Sequence, residues 1–209
     1  MRPLTDRLPK PLLRAGGRSL IEYHIEALAA AGIRRIVVNH AHLGRKIEAF
    51  LGDGSRWGVD IAYSPEPEGA LETGGGIFNA LPLLGEGPFL VVNGDIWIDY
   101  DFGAIACVVG KLAHLVLVGN PPHHPDGDFL LNRGRIVQSG GERLTYCGVG
   151  VFTPDLFSGC RSGKFRLAPL LREAIGRDQV SGEYFRGAWY DVGTPERLSS
   201  LDNLLNAAS

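Results

Sequence analysis

Pro88-Phe89-Leu90-Val91-Val92-Asn93-Gly94-Asp95 is an apolar run that stops abruptly on an amide, a glycine and a carboxylate. Continuous rather than alternating hydrophobicity is what a strand covered on both faces requires. In an open α/β sheet, ligands bind beyond the carboxyl ends of the strands. Asp95 therefore stands where it can meet a ligand, and Gly94 lets one approach the main chain. A lone strand-end Asp more often caps a turn, so the rest of the chain has to decide.

Upstream, Ser19 to Gly32 reads as a helix: Ser19 and Glu22 form a capping box, Ile21, Ile25 and Leu28 share a face, and Gly32 stops it. A β-branched strand over 34–40, an amphipathic helix over 43–52 and a strand over 59–64 follow. A loop rich in Pro, Glu and Gly over 64–76 then leads to a short helix over 77–84. Downstream, a weak helix over 102–110 precedes a strand over 113–119. This alternation predicts a parallel sheet with helices on both faces. Beyond it the pattern changes, because 127–141 and 144–152 read as antiparallel strands whose turns are too short for helical crossovers. A helix over 166–176, a strand region over 183–193, and a closing helix with Thr194 as N-cap and Pro195 at its first position complete the chain. No repeat, low-complexity tract or linker interrupts it. The expectation is one α/β domain with a mixed, mainly parallel sheet flanked by helices. Arg2 to Leu12, with three prolines, is expected as a pinned extended loop.

Composition narrows the function. A hydrophobic share of 44% with 21% charged residues is that of a globular chain, and 209 residues can bury a full core. A formal charge of −2 supplies no basic field, so nucleic acid is not an expected partner. No apolar run approaches the roughly 20 residues of a membrane span, and no leader is expected, so a membrane partner is not expected either. Cys107, Cys147 and Cys160 are odd in number and far apart, which suits free thiols in a reducing cytoplasm. Nothing in the sequence fixes an oligomeric state.

Three further stretches could carry chemistry. Asp191, after Trp189 and Tyr190 and before a helix start, is a second strand-end carboxylate. Mg²⁺ is held by one or two carboxylates plus substrate phosphates, so Asp95 and Asp191 together say more than either alone. Gly74, Gly75 and Gly76 follow Thr73 and open a helix, where free N–H groups attract phosphate or polar base edges. No Gly-Lys-Ser/Thr follows, so this is not a Walker motif. Arg2 and Lys10 each neighbour a proline that holds their charge in place. The histidines show no metal-ligand spacing, and no Gly-x-Ser-x-Gly occurs.

Taken together, these pieces resemble the sugar-1-phosphate nucleotidylyltransferases. Arg2-Pro3-Leu4-Thr5 and Pro9-Lys10-Pro11-Leu12 resemble the second half of that family's N-terminal signature. Leu71 to Ile77 resembles its nucleotide-binding turn, Asn93-Gly94-Asp95 its metal-binding Gly-Asp, and Trp189 to Pro195 its W-x-D-x-G-T-P segment. Within the family, residues 20–33, 37–44, 52–58, 71–77 and 164–171 are most similar to the bacterial enzymes that make UDP-N-acetylmuramate in peptidoglycan recycling.

The resemblance implies a single Rossmann-like (GT-A-like) nucleotidyltransferase domain over residues 1–209, with the family's first strand and Gly-x-Gly loop missing ahead of Met1. It implies transfer of a uridylyl group from UTP to a sugar 1-phosphate. Guanylyl transfer to mannose 1-phosphate and a non-catalytic nucleotide-sugar-binding role are the alternatives. By the same resemblance, Asp95 and Asp191 hold Mg²⁺, and Lys10 and Arg2 stabilise charge on the transferred and leaving groups. Glu72, Thr73, Gly74, Gly75 and Asn93 contact the nucleotide, while Asp128, Tyr146, Gly148 and Glu183 face the sugar.

Overall fold

The computed structural model describes residues 1, 3–67, 69, 71–105 and 110–207. The chain divides into two compact units. One is built from Met1–Ala70, Gly94–Ile105 and Ala188–Ser209, and the other from Leu71–Asn93 and Ala106–Gly187.

The first unit grows around the helix Leu20–Ala30. Its capping box forms: the main-chain N–H of Ser19 donates to Glu22 Oε2 at 2.9 Å, and Ser19 Oγ donates to the same oxygen at 2.8 Å. Ile21 and Ile25 pack with Leu12, Ile47, Leu51 and Ile61 in one core. Strands Arg35–His40 and Asp60–Pro65 run parallel in unbroken register, joined through the helix Gly44–Leu51 as a parallel pair requires. A second layer pairs Ile96–Ile98 antiparallel with Trp189–Asp191. The closing helix Pro195–Ala207 then buries Leu201 against Ala15, Leu20 and Val192. Its first turn is capped as expected, with Arg197 N–H donating to Thr194 Oγ1 at 3.3 Å.

The second unit is a six-stranded sheet in the order Phe89–Val92, Glu142–Phe152, Ala113–Val118, Val180–Tyr184, Arg135–Val137, Phe129–Asn132. Ala113–Val118 is buried along its whole length. Leu115, Leu117 and Phe152 pack with Ile77 and Leu171, which come from the helices Glu72–Leu84 and Leu167–Gly176.

Several expectations need correction. The α/β class stands, but among the described residues only the Arg35–His40/Asp60–Pro65 and Ala113–Val118/Val180–Tyr184 pairings are parallel, so the sheet is mixed rather than mainly parallel. The reason is the strand Glu142–Phe152, which slots between Phe89–Val92 and Ala113–Val118 and runs antiparallel to both. Residues 3–12 are extended only at Leu8 and Pro9: Leu4–Arg7 forms a helical turn and Lys10–Leu12 a 3₁₀ turn, with Pro11 in its first positions, where a missing N–H costs nothing. The strand region over 183–193 is two strands, Val180–Tyr184 and Trp189–Asp191, one in each unit. The weak helix over 102–110 is a 3₁₀ turn at Phe102–Ala104, and its remainder, with Cys107, lies largely outside the described residues.

The helix expected over 77–84 begins five residues earlier, at Glu72. Two of the three glycines in its first turns, Gly74 and Gly75, leave no room for a side chain because the neighbouring chain passes close. A Cβ on Gly75 would lie 2.3 Å from the carbonyl oxygen of Gly163, and one on Gly74 would lie 2.6 Å from the ring of Phe165.

Candidate active site

Asp95 and Asp191 become cross-strand neighbours. Asp191 stands opposite Ile96 in the antiparallel register, and the next main-chain bond runs from Val192 N–H to the Asp95 carbonyl at 2.9 Å. Each carboxylate meets a cation of its own unit. Lys10 Nζ donates to Asp95 Oδ2 at 2.7 Å, and Arg197 Nη1 donates to Asp191 Oδ2 at 2.9 Å. Arg197 was missed in the sequence. It reaches Asp191 by lying across Gly193, where a Cβ would stand 2.0 Å from its Nη2. The available signal was the Asp-x-Gly-Thr-Pro-x-Arg spacing, which puts an Arg in the first turn after the Thr194 cap. Arg2 lies outside the described residues.

Beneath this pair, His24 donates from Nε2 to the Ile96 carbonyl at 2.9 Å. Burial pushes its imidazole down to about 4, against the opposing pull of that bond and of the Asp95 charge. The ring is therefore neutral in the folded protein. A histidine whose folded value lies below its unfolded value of 6.5 gives its full stabilisation above that pH and loses it as pH falls toward 4. At about 1.36 kcal/mol per unit, the loss approaches roughly 3 kcal/mol. Thermal melting is expected to fall by several degrees between about pH 7 and about pH 4.5, and His24→Gln to flatten part of that dependence. An identical pH profile in the variant would assign the effect to other groups.

The second unit carries a cavity of about 430 Å³. Glu72 and Thr73 at one helix start, Asn93 at a strand end, and Asp128 and Tyr146 form part of its wall. Arg166 and Arg172 at the start of the helix Leu167–Gly176 form another part. Asp128 is fixed by its neighbours: Oδ2 accepts from Tyr146 N–H at 2.9 Å, and Oδ1 meets His124 Nε2 at 3.1 Å. Glu72, held at φ +58°, accepts from Arg166 Nε at 3.2 Å. The Tyr146 hydroxyl is buried with no hydrogen-bond partner among the described residues. Burial pushes its pKa well above the ordinary tyrosine range, so it remains a proton donor.

The sequence-predicted residues thus divide. Asp95, Asp191 and Lys10 gather in one place. Glu72, Thr73, Asn93, Asp128 and Tyr146 gather in the other. Gly74 and Gly75 are not among the residues that line the cavity, and the Gly75 N–H is spent on the Phe165 carbonyl at 3.0 Å rather than left open for a base. Gly148, at φ +90°, sits buried at the bulge where the pairing of Glu142–Phe152 with Ala113–Val118 shifts register, against the side chain of Asn93. Glu183 is not in the cavity wall with Asp128 and Tyr146. The parallel register of Val180–Tyr184 sets it beside buried His114, with Oε2 3.6 Å from Nε2, while Ser181 Oγ meets the other ring nitrogen at 2.9 Å.

The donor set fits a hard divalent ion. Two aspartates at paired strand ends suit Mg²⁺, which takes one or two carboxylates and completes its shell with water and phosphate oxygens. Among the described residues no group of three or more His, Cys, Asp or Glu gathers, so such an ion would draw most of its ligands from solvent and substrate.

The chain is 52% identical over 216 residues to the N-acetylmuramate alpha-1-phosphate uridylyltransferase of Neisseria meningitidis serogroup B, covering 99% of this chain and 94% of that protein. It is 34% identical to the Caulobacter vibrioides protein of the same name, covering 94% and 88%. The structure of the inositol-1-phosphate CTP transferase from T. maritima superposes with a TM-score of 0.78 at 21% identity, covering 98% of this chain and 89% of that one, which fixes the fold. Residues 1–129 match the nucleotidyl transferase domain, a span that takes in both Lys10 and Asp95. With most of its length matched and a relative this similar along both chains, the protein belongs to the nucleotidyl transferase family.

Proposed function

We propose that this chain, acting as one domain in the cytoplasm, transfers a uridylyl group from UTP to N-acetylmuramate α-1-phosphate in peptidoglycan recycling. The observation that carries the chemistry is the main-chain pairing that brings Asp95 and Asp191 to adjacent positions of one ladder, with Lys10 Nζ 2.7 Å from Asp95 Oδ2. The choice of UTP and of the sugar rests on the name of the Neisseria relative.

A phosphate oxygen of the sugar 1-phosphate attacks the α-phosphorus of UTP. The new P–O bond forms as the bond to the β-phosphate oxygen breaks, and pyrophosphate leaves with that electron pair. No proton has to move at the reacting centre, so catalysis is charge neutralisation and alignment. Asp95 and Asp191 would hold Mg²⁺, which when bound supplies positive charge between the reacting phosphates. Lys10 exchanges its bond to Asp95 for a phosphate oxygen, setting a compact ammonium where negative charge builds. Arg197 holds the Asp191 carboxylate in a fixed orientation. In the cavity, Thr73 and Asn93 offer neutral hydrogen-bonding groups to a sugar.

Pyrophosphate release by the full chain, with a panel of nucleotides and sugar phosphates, tests this. The expected result is Mg²⁺-dependent release with UTP and N-acetylmuramate 1-phosphate. Turnover only with GTP and mannose 1-phosphate would make the chain a guanylyltransferase. Calorimetric binding of UDP-sugar without any pyrophosphate release would make it a binding module.

A further inference from the structure

We propose that Arg172 selects an acceptor sugar that carries a carboxylate, by pairing with that carboxylate inside the cavity of the second unit. The inference rests on the reading of the cavity as the sugar site and adds to it the residue that recognises the acid.

The helix Leu167–Gly176 cannot turn freely, because Leu167, Leu171, Ala174 and Ile175 are buried on one side. Its rotation therefore sets Ala168 and Arg172, one turn apart, at the cavity wall. The other charges of the wall are already matched. Arg166 pairs with Glu72, and Asp128 is taken up by the Tyr146 N–H and by His124. Among the described residues Arg172 makes no ion pair or hydrogen bond, and it is exposed.

An arginine is the side chain whose planar fork fits a carboxylate with two parallel hydrogen bonds. A neutral sugar would leave that fork to water; an acidic one would fill it. The cavity, at about 430 Å³, lies within the size range of small-molecule sites.

Two anions could answer to Arg172: the carboxylate of the sugar or its phosphate. Steady-state kinetics with N-acetylmuramate 1-phosphate and with the methyl ester of its carboxylate separates them, since the two share the phosphate and differ only in the acid. In the unaltered chain KM for the ester is expected to exceed that for the acid by about tenfold or more, and Arg172→Gln to bring the ratio close to one. Arg172→Lys should restore part of it. Equal KM values for acid and ester in the unaltered chain would overturn the inference, as would a ratio that survives Arg172→Gln. A loss shared equally by both acceptors would assign Arg172 to the phosphate or to the fold. If neither acceptor is turned over, it is the functional reading that fails; turnover without acid selectivity removes only this inference.

Discussion

Asp95→Asn and Asp191→Asn are each expected to lower the rate of pyrophosphate release by about 10²–10³ with little effect on folding. An amide keeps the shape of the carboxylate but removes the charge that would balance a divalent ion and orient the phosphates. Both carboxylates are partly exposed, 44% and 29%, and each ion pair joins one of them to a flexible cation. Exposed pairs of this kind contribute about 1 kcal/mol or less. The two variants should therefore melt close to the unaltered protein, and a collapse in rate would report on chemistry. Because the two aspartates act on one centre, the double variant should be little worse than either single one. Losses that multiply would mean two separate tasks.

Lys10→Met is expected to cost a similar factor in rate while moving metal affinity the other way. In the substrate-free protein the ammonium lies 2.7 Å from Asp95 Oδ2, where it competes with any divalent ion for that carboxylate. Removing it should tighten metal binding in the absence of nucleotide. It should also slow turnover by about 10²–10³, because the charge that follows the transferring phosphate is gone. Lys10→Arg should not restore the rate fully, since a broad fork does not fit where a compact ammonium sits. A variant that loses metal affinity and rate together would instead make Lys10 a structural support of Asp95.

Much of this arrangement is legible in the sequence, for local reasons. The Ser19–Glu22 box, the Thr194-Pro195 helix start and the strand ending at Val92 are written in neighbouring residues, and they form as read. Asp95 and Asp191 stand out because each ends an apolar or aromatic run. Their meeting depends on one antiparallel register that no local signal contains. What the sequence hides is mostly pairing at a distance. Glu142–Phe152 inserts between two strands that alternate with helices in the chain, so the parallel arrangement suggested by that alternation does not form. Glu183 is turned toward His114 by its parallel neighbour, a partner 69 positions away in the numbering (183 − 114). The glycines after Thr73 look like an open anion-binding turn, yet Gly74 and Gly75 leave no room for a side chain because residues 163–166 press against them. Arg197 and Arg172 look like ordinary helix-surface cations until the folded chain gives one an aspartate and the other a cavity.

Calorimetric titration of Mg²⁺ or Mn²⁺ into the unaltered chain and into Asp95→Asn and Asp191→Asn bears most directly on the sharing of one ion by two aspartates. One ion should bind the unaltered chain in the presence of a non-hydrolysable UTP analogue, and each substitution alone should weaken that binding at least about tenfold. Undiminished affinity in either variant would mean that its aspartate is not a ligand, and the shared site would have to be abandoned.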